Sequence, residues 1–376
     1  MADENIPKLN AEQRHAYDRI FSAVMDDEPD LFFLLGPAET GKTFVYNTLC
    51  YALCAEGKIV LCVASSGIAA ILLIGGRTSH STSVIPIKIS EGKACSVKSN
   101  SVYGDLFRRV DLIIWDEVPM QSKLCQEAVD LTFRDCRTPL DPANADKPLG
   151  GVSVVFGGDF MQILLVIVKG TREQIVGDCI QRSHLWSRIE PNIMRLHRNQ
   201  RFDGANDADR EFASWLIEVG KGRNSNETGM VALPQSMRIP HNSEESLIQA
   251  LYPGLAGIPL GQNNDTWFAE QTILAARNDD VSALNTATLQ TFPGHSQIFH
   301  SADSIAKIGS EAPQETGLYP VEYLNSLDIS GMPVSKLELK VGCPIMLLCN
   351  LNPRAGLCNG TRGVVTRMTR RVLEML

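Results

Sequence analysis

The sequence lacks an excess of positive charge, a metal-binding cysteine pattern and a long apolar run. With 35 Lys and Arg residues against 43 Asp and Glu residues, its net charge is −8, so a nucleic-acid site must be a local channel rather than a basic surface. The ten cysteines form no C-x-x-C pair. A chain this long and apolar needs no disulfide framework, and we expect reduced, intracellular thiols.

Targeting and membrane signals are also missing. The N-terminus is acidic and has neither the apolar region of a secretory signal nor the basic character of a transit peptide. No run approaches the 18 apolar residues of a membrane span, so we expect no membrane partner. The 376 residues, with 44% hydrophobic and 21% charged, are typical of a globular protein with two or more domains. The sequence does not determine the oligomeric state, and a monomer is the working expectation.

A segment between a predicted strand and a predicted helix matches the phosphate-binding P-loop. Leu31–Leu35 is typical of a buried strand, and Phe44–Glu56 has apolar residues at helical spacing. The eight residues between them fit G-x-x-x-x-G-K-[ST] and form the predicted nucleotide-binding loop: Gly36, Pro37, Ala38, Glu39, Thr40, Gly41, Lys42 and Thr43. Backbone N–H groups there can bind phosphates, Lys42 can reach the β- and γ-phosphates, and Thr43 can ligate Mg²⁺. The alternative is a chance glycine turn before a helix.

Two later apolar runs end in polar residues. Residues 111–115 are followed by Asp116 and Glu117, which can hold Mg²⁺ and polarise an attacking water. The alternative is an acidic pair that caps the next helix. Residues 152–156 lead to Gln162, whose amide can contact a γ-phosphate. Ligands of open α/β sheets bind beyond the carboxyl ends of the strands, where these side chains fall.

Alternating strands and helices predict the fold class. The predicted strands at 31–35, 58–64, 111–115 and 152–156 are separated by helical segments, which indicates α/β architecture with a parallel, doubly wound sheet flanked by helices. Upstream, residues 8–25 predict an amphipathic helix with Asn10 as N-cap.

The second half predicts smaller elements. Residues 211–219 and 279–289 are predicted helices, and residues 271–276 a predicted strand. Short strands are predicted within 337–346 and 356–367, around an Asn359-Gly360 hairpin signal. The loop at 75–81 contains hydroxyls and one imidazole, which can bind a phosphodiester backbone, although an ordinary loop has the same composition.

The order of the motifs resembles one helicase family. The motifs that carry the resemblance are LNxEQ, GPAETGKT, VASSGIAAILL, GGRTSHS, LIIWDEVPM, GGDFMQIL, RLHRNQR, KVGCPIMLLCNL and GLCNGTRG. They resemble the 5′-to-3′ DNA helicases of the petite-integration-frequency (Pif-one) type in superfamily 1B, especially those of Helitron transposons. The resemblance covers nearly the whole chain, from Leu9 to Val372. It implies a P-loop NTPase of RecA-like fold that uses ATP and Mg²⁺ and binds single-stranded DNA, located in the nucleus.

The resemblance also implies roles for individual residues. Lys42, Glu117, Gln162 and Arg201 match the family's catalytic positions, with Arg201 as an arginine finger. Further matches are Gln13 for adenine recognition, Thr43 and Asp116 for Mg²⁺, and Ser66, Thr78 and His80 for the single-stranded DNA channel.

The domain boundaries follow the same pattern. We expect a first RecA-like domain over residues 1–195. Residues 196–376 then begin the second RecA-like domain, with its small β-rich insertion starting near Lys340. The family's last two motifs would follow Leu376, so we expect the second domain to be incomplete here, as in a truncated gene model or a decayed transposon copy.

The predicted function is ATP-dependent 5′-to-3′ DNA unwinding, in DNA repair, recombination, telomere maintenance or transposon replication. The alternative is a helicase relic that binds nucleotide or single-stranded DNA without unwinding. Family members usually have Gly at Glu39, Arg at Met161 and Pro at Ile74 and Leu165. Glu39, Met161 and the absence of the last two motifs favour the relic. Another P-loop ATPase or GTPase is poorly supported, because no guanine-reading N-K-x-D motif is present.

Overall fold

The computed structural model describes most of the chain in two compact units. The described residues are 1–162, 165–167, 169–199, 207–239, 243–258, 267–268, 270–302, 335–349, 351–352, 355–357, 359–370 and 372–375. One unit comprises Met1–Ala232 with Pro353–Gly356, and the other comprises Leu233–Asn352 with Leu357–Leu376. The domain boundary at residue 195 stays a prediction. In the described parts, no helix is both long and apolar enough to cross a membrane.

A six-stranded parallel sheet forms the centre of the first unit. Its strands are β1 (Leu31–Leu35), β2 (Val60–Ala64), β3 (Arg77–Thr78), β4 (Leu112–Asp116), β5 (Ser153–Gly158) and β6 (Ile193–Arg195). The order across the sheet is β3-β2-β4-β5-β1-β6, and all neighbours are parallel. The predicted parallel, doubly wound α/β fold is confirmed. The two edge strands, β3 and β6, were missed.

Helices connect and cover these strands. They are α1 (Ala2–Asn5), α2 (Ala11–Met25), α3 (Lys42–Ala55), α4 (Gly67–Ile71), α5 (Ser79–Ser83), α6 (Val102–Arg109), α7 (Lys123–Arg137), α8 (Arg172–Gly177), α9 (Trp186–Ile189) and α10 (Asp207–Gly220). The predicted N-cap of α2 is confirmed. The Asn10 side chain accepts from the Gln13 N–H, and the Gln13 side chain accepts from the Asn10 N–H.

Both faces of the sheet are buried, which explains why its strands are continuously apolar rather than alternating. Phe33 and Trp115 pack into the hydrophobic cluster on one face, while Leu34 and Ile114 pack into the cluster on the other. All four side chains are at most 1% exposed. The carboxyl ends of the strands are therefore held on a rigid core.

The second unit has a smaller core and antiparallel strands. Its helices are α11 (Glu244–Leu251) and α12 (Asn278–Thr291), and its strands are β7 (Ser296–His300), β8 (Lys336–Lys340), β9 (Pro344–Met346), β10 (Arg362–Met368) and β11 (Leu373–Met375). β7 pairs with β8, and β10 pairs with both β9 and β11. The core is centred on buried Phe268, Phe292 and Leu339.

One local prediction for this unit was wrong and one was confirmed. Residues 271–276 are not in a strand. The strands predicted on either side of Asn359-Gly360 are present as β9 and β10, which pair antiparallel. Asn359 and Gly360 lie in a turn, where Gly360 has φ +91° and its N–H donates to the Leu347 carbonyl oxygen at 2.7 Å.

Candidate nucleotide-binding site

The phosphate loop joins the end of β1 to the start of α3 and leaves little room for side chains. A Cβ on Gly36 would lie 2.5 Å from the Thr40 hydroxyl, and one on Gly41 would lie 2.4 Å from the Gln13 amide nitrogen. Gly41 also has φ +81°, a left-handed conformation that favours glycine. Gly41 is therefore favoured by its backbone conformation, and Gly36 by the close packing of Thr40 and Leu196 around it.

Lys42 lies within the loop that it is predicted to serve. Its side chain is 7% exposed, and its ammonium group donates to the carbonyl oxygens of Gly36 at 2.7 Å and Pro37 at 3.2 Å. The Thr40 hydroxyl donates to the same Pro37 carbonyl at 2.9 Å. These contacts hold a positive charge under the loop, at the place where phosphates would bind.

Gln13 connects α2 to this loop. Its side-chain nitrogen donates to the carbonyl oxygen of Thr40 at 3.0 Å, and the residue is 3% exposed. The neighbouring Glu12 accepts from the His197 N–H at 2.7 Å, just after β6. The start of α2 is therefore hydrogen-bonded both to the phosphate loop and to the segment after β6.

Asp116 and Glu117 lie at the carboxyl end of β4. Burial raises the pKa of Asp116, which the positive charge of Lys42 partly opposes. Burial also raises the pKa of Glu117, and the negative charge of Asp116 raises it further. Glu117 has φ +55°, an uncommon conformation for a residue with a Cβ. A strained carboxylic acid with a raised pKa has the properties of a general base.

Tyr46 shapes the space beside Asp116. A Cβ on Gly157 would lie 1.7 Å from the Tyr46 hydroxyl and 3.1 Å from an Asp116 carboxylate oxygen, so only glycine fits there. The hydroxyl is buried next to the Asp116 carboxylate. Burial raises the pKa of Tyr46 well above its ordinary value, so the hydroxyl keeps its proton.

Most of the predicted nucleotide-site residues line one cavity of about 340 Å³, while Gln13, Gly36, Pro37 and Thr40 are not among its lining residues. Its lining includes Lys42, Thr43, Asp116, Glu117 and Gln162. The described residues contain no cluster of three His, Cys, Asp or Glu able to hold a metal alone. The Thr43 hydroxyl and the Asp116 carboxylate do fit Mg²⁺, which usually keeps several waters and takes further ligands from substrate phosphates. Arg201 lies outside the described residues.

Glu39 is the unusual residue of the loop. It is exposed at the edge of the cavity and has φ +64°, where a glycine would avoid strain. The neighbouring Ala38 also lines the cavity, and its carbonyl accepts from Asn199 at 3.3 Å. A residue with a Cβ therefore occupies a position of the phosphate loop whose backbone conformation favours glycine.

The predicted DNA-contacting residues lie at the carboxyl ends of the neighbouring strands β2 and β3. Ser66 is the N-cap of α4 and accepts from the Ala69 N–H. Thr78 is the N-cap of α5 and accepts from the Ser81 N–H. His80 is exposed in α5, and partial burial lowers its pKa. The structure brings the three together, and their contact with DNA stays a prediction.

The motifs alone did not identify three polar residues near the site. Tyr46 lies one helical turn after Lys42, a position that the P-loop pattern leaves open. Asp159 is 6% exposed, and its charge contributes to the raised pKa of Glu117. Gln121 is 6% exposed four residues after Glu117. The available sequence signal was the place of Asp159 inside the GGDFMQIL motif and of Gln121 directly after LIIWDEVPM.

The fold and the loop define a P-loop NTPase with a RecA-like sheet. The chain belongs to the PIF1-like helicase family, whose model matches residues 8–230, more than half of the chain. A second family model, the DNA helicase Pif1 2B domain, matches residues 322–368, where the small β-rich insertion was predicted. The family prediction is confirmed, and the Helitron assignment within it stays a prediction.

Several proteins are similar over nearly the whole chain. The human ATP-dependent DNA helicase PIF1 is 28% identical over 364 residues, which are 96% of this chain and 46% of that protein. The ATP-dependent DNA helicase PIF7 of Trypanosoma brucei brucei is 27% identical over 366 residues, 94% of this chain and 33% of that protein. The chain thus spans a third to about half the length of these curated relatives.

Solved Pif1 helicase structures share the fold. A Pif1 helicase from Bacteroides in complex with ADP-AlF3 and single-stranded DNA superposes with a TM-score of 0.60 at 22% identity, covering 98% of this chain and 72% of that one. The Pif1 helicase from Candida albicans gives 0.58 at 22% identity, with 96% and 69% covered.

Proposed function

We propose that this chain acts as an ATP-dependent DNA helicase that couples ATP hydrolysis to translocation on single-stranded DNA. One observation carries the proposal. Lys42 and Thr43 after β1, Asp116 and Glu117 after β4, and Gln162 after β5 all line the same cavity. Ligands of parallel α/β sheets bind at this end of the strands. The human and trypanosome relatives named as ATP-dependent DNA helicases support the assignment.

Each residue of the site has a separate proposed role in ATP hydrolysis. Lys42 neutralises the charge of the β- and γ-phosphates, and Glu117 polarises the attacking water. Gln162 contacts the γ-phosphate, and Gln13 recognises the adenine base. Thr43 and Asp116 would hold Mg²⁺ together with the phosphates, and the ion would supply charge neutralisation during phosphoryl transfer. Arg201 is proposed as the arginine finger.

Single-stranded DNA is the proposed nucleic-acid partner, along which the protein would translocate. Ser66 follows β2, which pairs with β4, and Thr78 and His80 lie at the end of β3, the next strand outward, so a DNA backbone there would run close to the nucleotide site. A Bacteroides Pif1 helicase of the same fold has been solved with single-stranded DNA, which supports this partner. Movement from 5′ to 3′ and a nuclear location are proposed from the family resemblance.

A nucleotide-binding relic without turnover is the second candidate. Glu39 favours it, because a strained residue with a carboxylate on the phosphate loop opposes the binding of an anionic ligand. The two candidates differ in hydrolysis. A helicase hydrolyses ATP faster when oligothymidylate is added, and it displaces streptavidin from the 3′ end of a DNA strand faster than from the 5′ end. A relic binds ATP with no turnover in either condition.

A further inference from the structure

Gln121 is a buried amide placed between the nucleotide cavity and the loop that is predicted to bind DNA. It follows a single 3₁₀ turn, Val118–Met120, that comes directly after Glu117. Its side chain is 6% exposed, so both ends of the amide need partners inside the protein.

The oxygen of the amide faces the ends of two neighbouring strands. Trp115 of β4 donates its indole N–H to Gln121 Oε1 at 3.2 Å, and the Ser65 hydroxyl, directly after β2, donates at 3.1 Å. Ser65 is also fixed to β4 through its backbone, because its N–H donates to the Asp116 carbonyl at 3.1 Å. With the Ser79 hydroxyl, which can also donate at 3.2 Å, three donors surround this oxygen.

The nitrogen of the amide faces the start of α5, which follows β3. Gln121 Nε2 donates to the Ser79 hydroxyl at 3.0 Å and to His80 Nδ1 at 3.2 Å. Ser79 is fully buried, and the Ser79 hydroxyl also lies 3.2 Å from Gln121 Oε1. His80 can accept at Nδ1 only when that nitrogen is unprotonated, and burial lowers the pKa of His80, which favours the neutral ring.

These bonds span the ends of three adjacent strands, β3, β2 and β4. On one side, Asp116 and Glu117 line the cavity. On the other side, His80 is exposed to solvent next to Thr78. A shift of the segment after β4 would therefore move Gln121. Through the hydrogen bonds of Gln121, the same shift would move the start of α5.

We propose that Gln121 is a positioning residue that couples nucleotide binding in the cavity to single-stranded DNA binding at Ser79–His80. This inference rests on the proposed function, because it needs both ligands. Coupling between two sites is reciprocal, so the nucleotide strengthens DNA binding by the same factor by which DNA strengthens nucleotide binding.

Binding measurements test this without hydrolysis. Fluorescein-labelled oligothymidylate is titrated with the full chain, with and without a non-hydrolysable ATP analogue and Mg²⁺, and the ratio of the two dissociation constants is the coupling factor. We expect a factor of about 5 or more for the wild type, at the low end of allosteric couplings. Gln121→Met keeps the side-chain length but removes all its strong hydrogen bonds, and should bring the factor within twofold of 1.

Gln126→Met is the matched control. Gln126 is fully buried on α7, so this variant makes the same chemical change at equal burial. It should keep the wild-type coupling factor. A second readout follows the imidazole itself. In histidine-labelled protein, NMR should show His80 as the Nε2–H tautomer in the wild type and as a mixture of tautomers in Gln121→Met.

The outcomes separate this inference from the proposed function. Wild-type protein that binds neither ligand overturns both. Wild-type protein that binds both ligands with a coupling factor of 1 overturns only the role of Gln121. An unchanged factor in Gln121→Met, or an equal loss in Gln126→Met, also overturns that role, since the effect would then be absent or merely structural.

Discussion

The side-chain nitrogen of Gln13 donates to the carbonyl oxygen of Thr40 at 3.0 Å, which ties α2 to the phosphate loop across 27 residues of sequence. The oxygen of the same amide caps α2 by accepting from the Asn10 N–H. The two ends of one amide thus serve the helix and the loop separately.

This division predicts the effect of Gln13→Glu. A carboxylate keeps the acceptor for the Asn10 N–H but cannot donate to Thr40, so α2 should stay capped while the loop loses its tie. Loss of one such hydrogen bond corresponds to roughly 0.5–1.5 kcal/mol, or about a 2- to 12-fold weaker affinity for ATP. Titration with a fluorescent ATP analogue measures it, with thermal unfolding as the check on folding. Unchanged affinity would contradict a role for Gln13 in the site.

Substitutions of Lys42 and Glu117 should impair ATP hydrolysis in different ways. Lys42→Ala deletes the buried charge beneath the loop, so nucleotide binding should weaken. Glu117→Gln keeps the shape of the side chain but removes the base, so binding should survive while turnover falls by roughly 10²–10⁴. Nucleotide titration and single-turnover hydrolysis separate the two effects. Equal loss of nucleotide affinity in both variants would refute the assigned roles.

Glu39→Gly should raise the affinity of the site for ATP. The change removes a strained φ of +64°, which costs about 1 kcal/mol for a residue with a Cβ. It also removes a carboxylate whose repulsion of a phosphate about 6 Å away is roughly 0.7–3 kcal/mol. We expect ATP to bind about 3- to 100-fold more tightly.

Glu39→Gln is the control for that experiment. It removes the charge but keeps the Cβ and its strain, so its affinity should lie between the wild type and Glu39→Gly. If the Gly variant binds ATP no better than the wild type, the site tolerates Glu39 and the relic loses its main support.

The pH dependence of stability should reveal the buried carboxylate at position 117. Burial raises the pKa of Glu117, so the folded protein binds this proton more tightly than the unfolded chain does. The contribution of Glu117 to the free energy of unfolding therefore falls as the pH rises through the interval between its ordinary and its raised pKa. Glu117→Gln removes this penalty, and should melt roughly 1–4 °C higher than the wild type at pH 7.5.

The difference should shrink below about pH 4, where Glu117 becomes protonated in both the folded and the unfolded wild type. Glu56→Gln, which removes an exposed carboxylate directly after α3, is the matched control for the loss of a carboxylate. A melting difference between Glu117→Gln and the wild type that is constant with pH would contradict a buried, raised carboxylate.

The central strands could be predicted because each is a buried apolar run with clear ends. β1 agrees with its prediction at both ends, between Asp30 and Gly36. β3 and β6 have only two and three residues, too few for any periodic pattern, and pairing with their neighbours defines them. The wrong strand at residues 271–276 shows the converse, since apolar residues alone do not supply a pairing partner.

The residues of the site also fall into two groups, those that could be predicted from the sequence and those that could not. Lys42, Thr43 and Asp116 follow from motifs because phosphate and metal chemistry fixes their types and spacing. Tyr46 and Gln121 do not, because their roles depend on contacts with Gly157 and with β2 and β3, which lie far away in sequence. Only the folded arrangement brings these groups together.

Steady-state ATP hydrolysis, measured with and without oligothymidylate, tests the central claim most directly. Wild-type protein and Glu117→Gln are compared at saturating ATP and Mg²⁺, with Lys42→Ala as the variant that cannot hold the phosphates. We predict that the wild type hydrolyses ATP, that oligothymidylate raises its rate severalfold, and that both variants lose the stimulated activity. No hydrolysis by the wild type in either condition, or stimulated hydrolysis that persists in Glu117→Gln, would contradict a DNA-stimulated ATPase at this site.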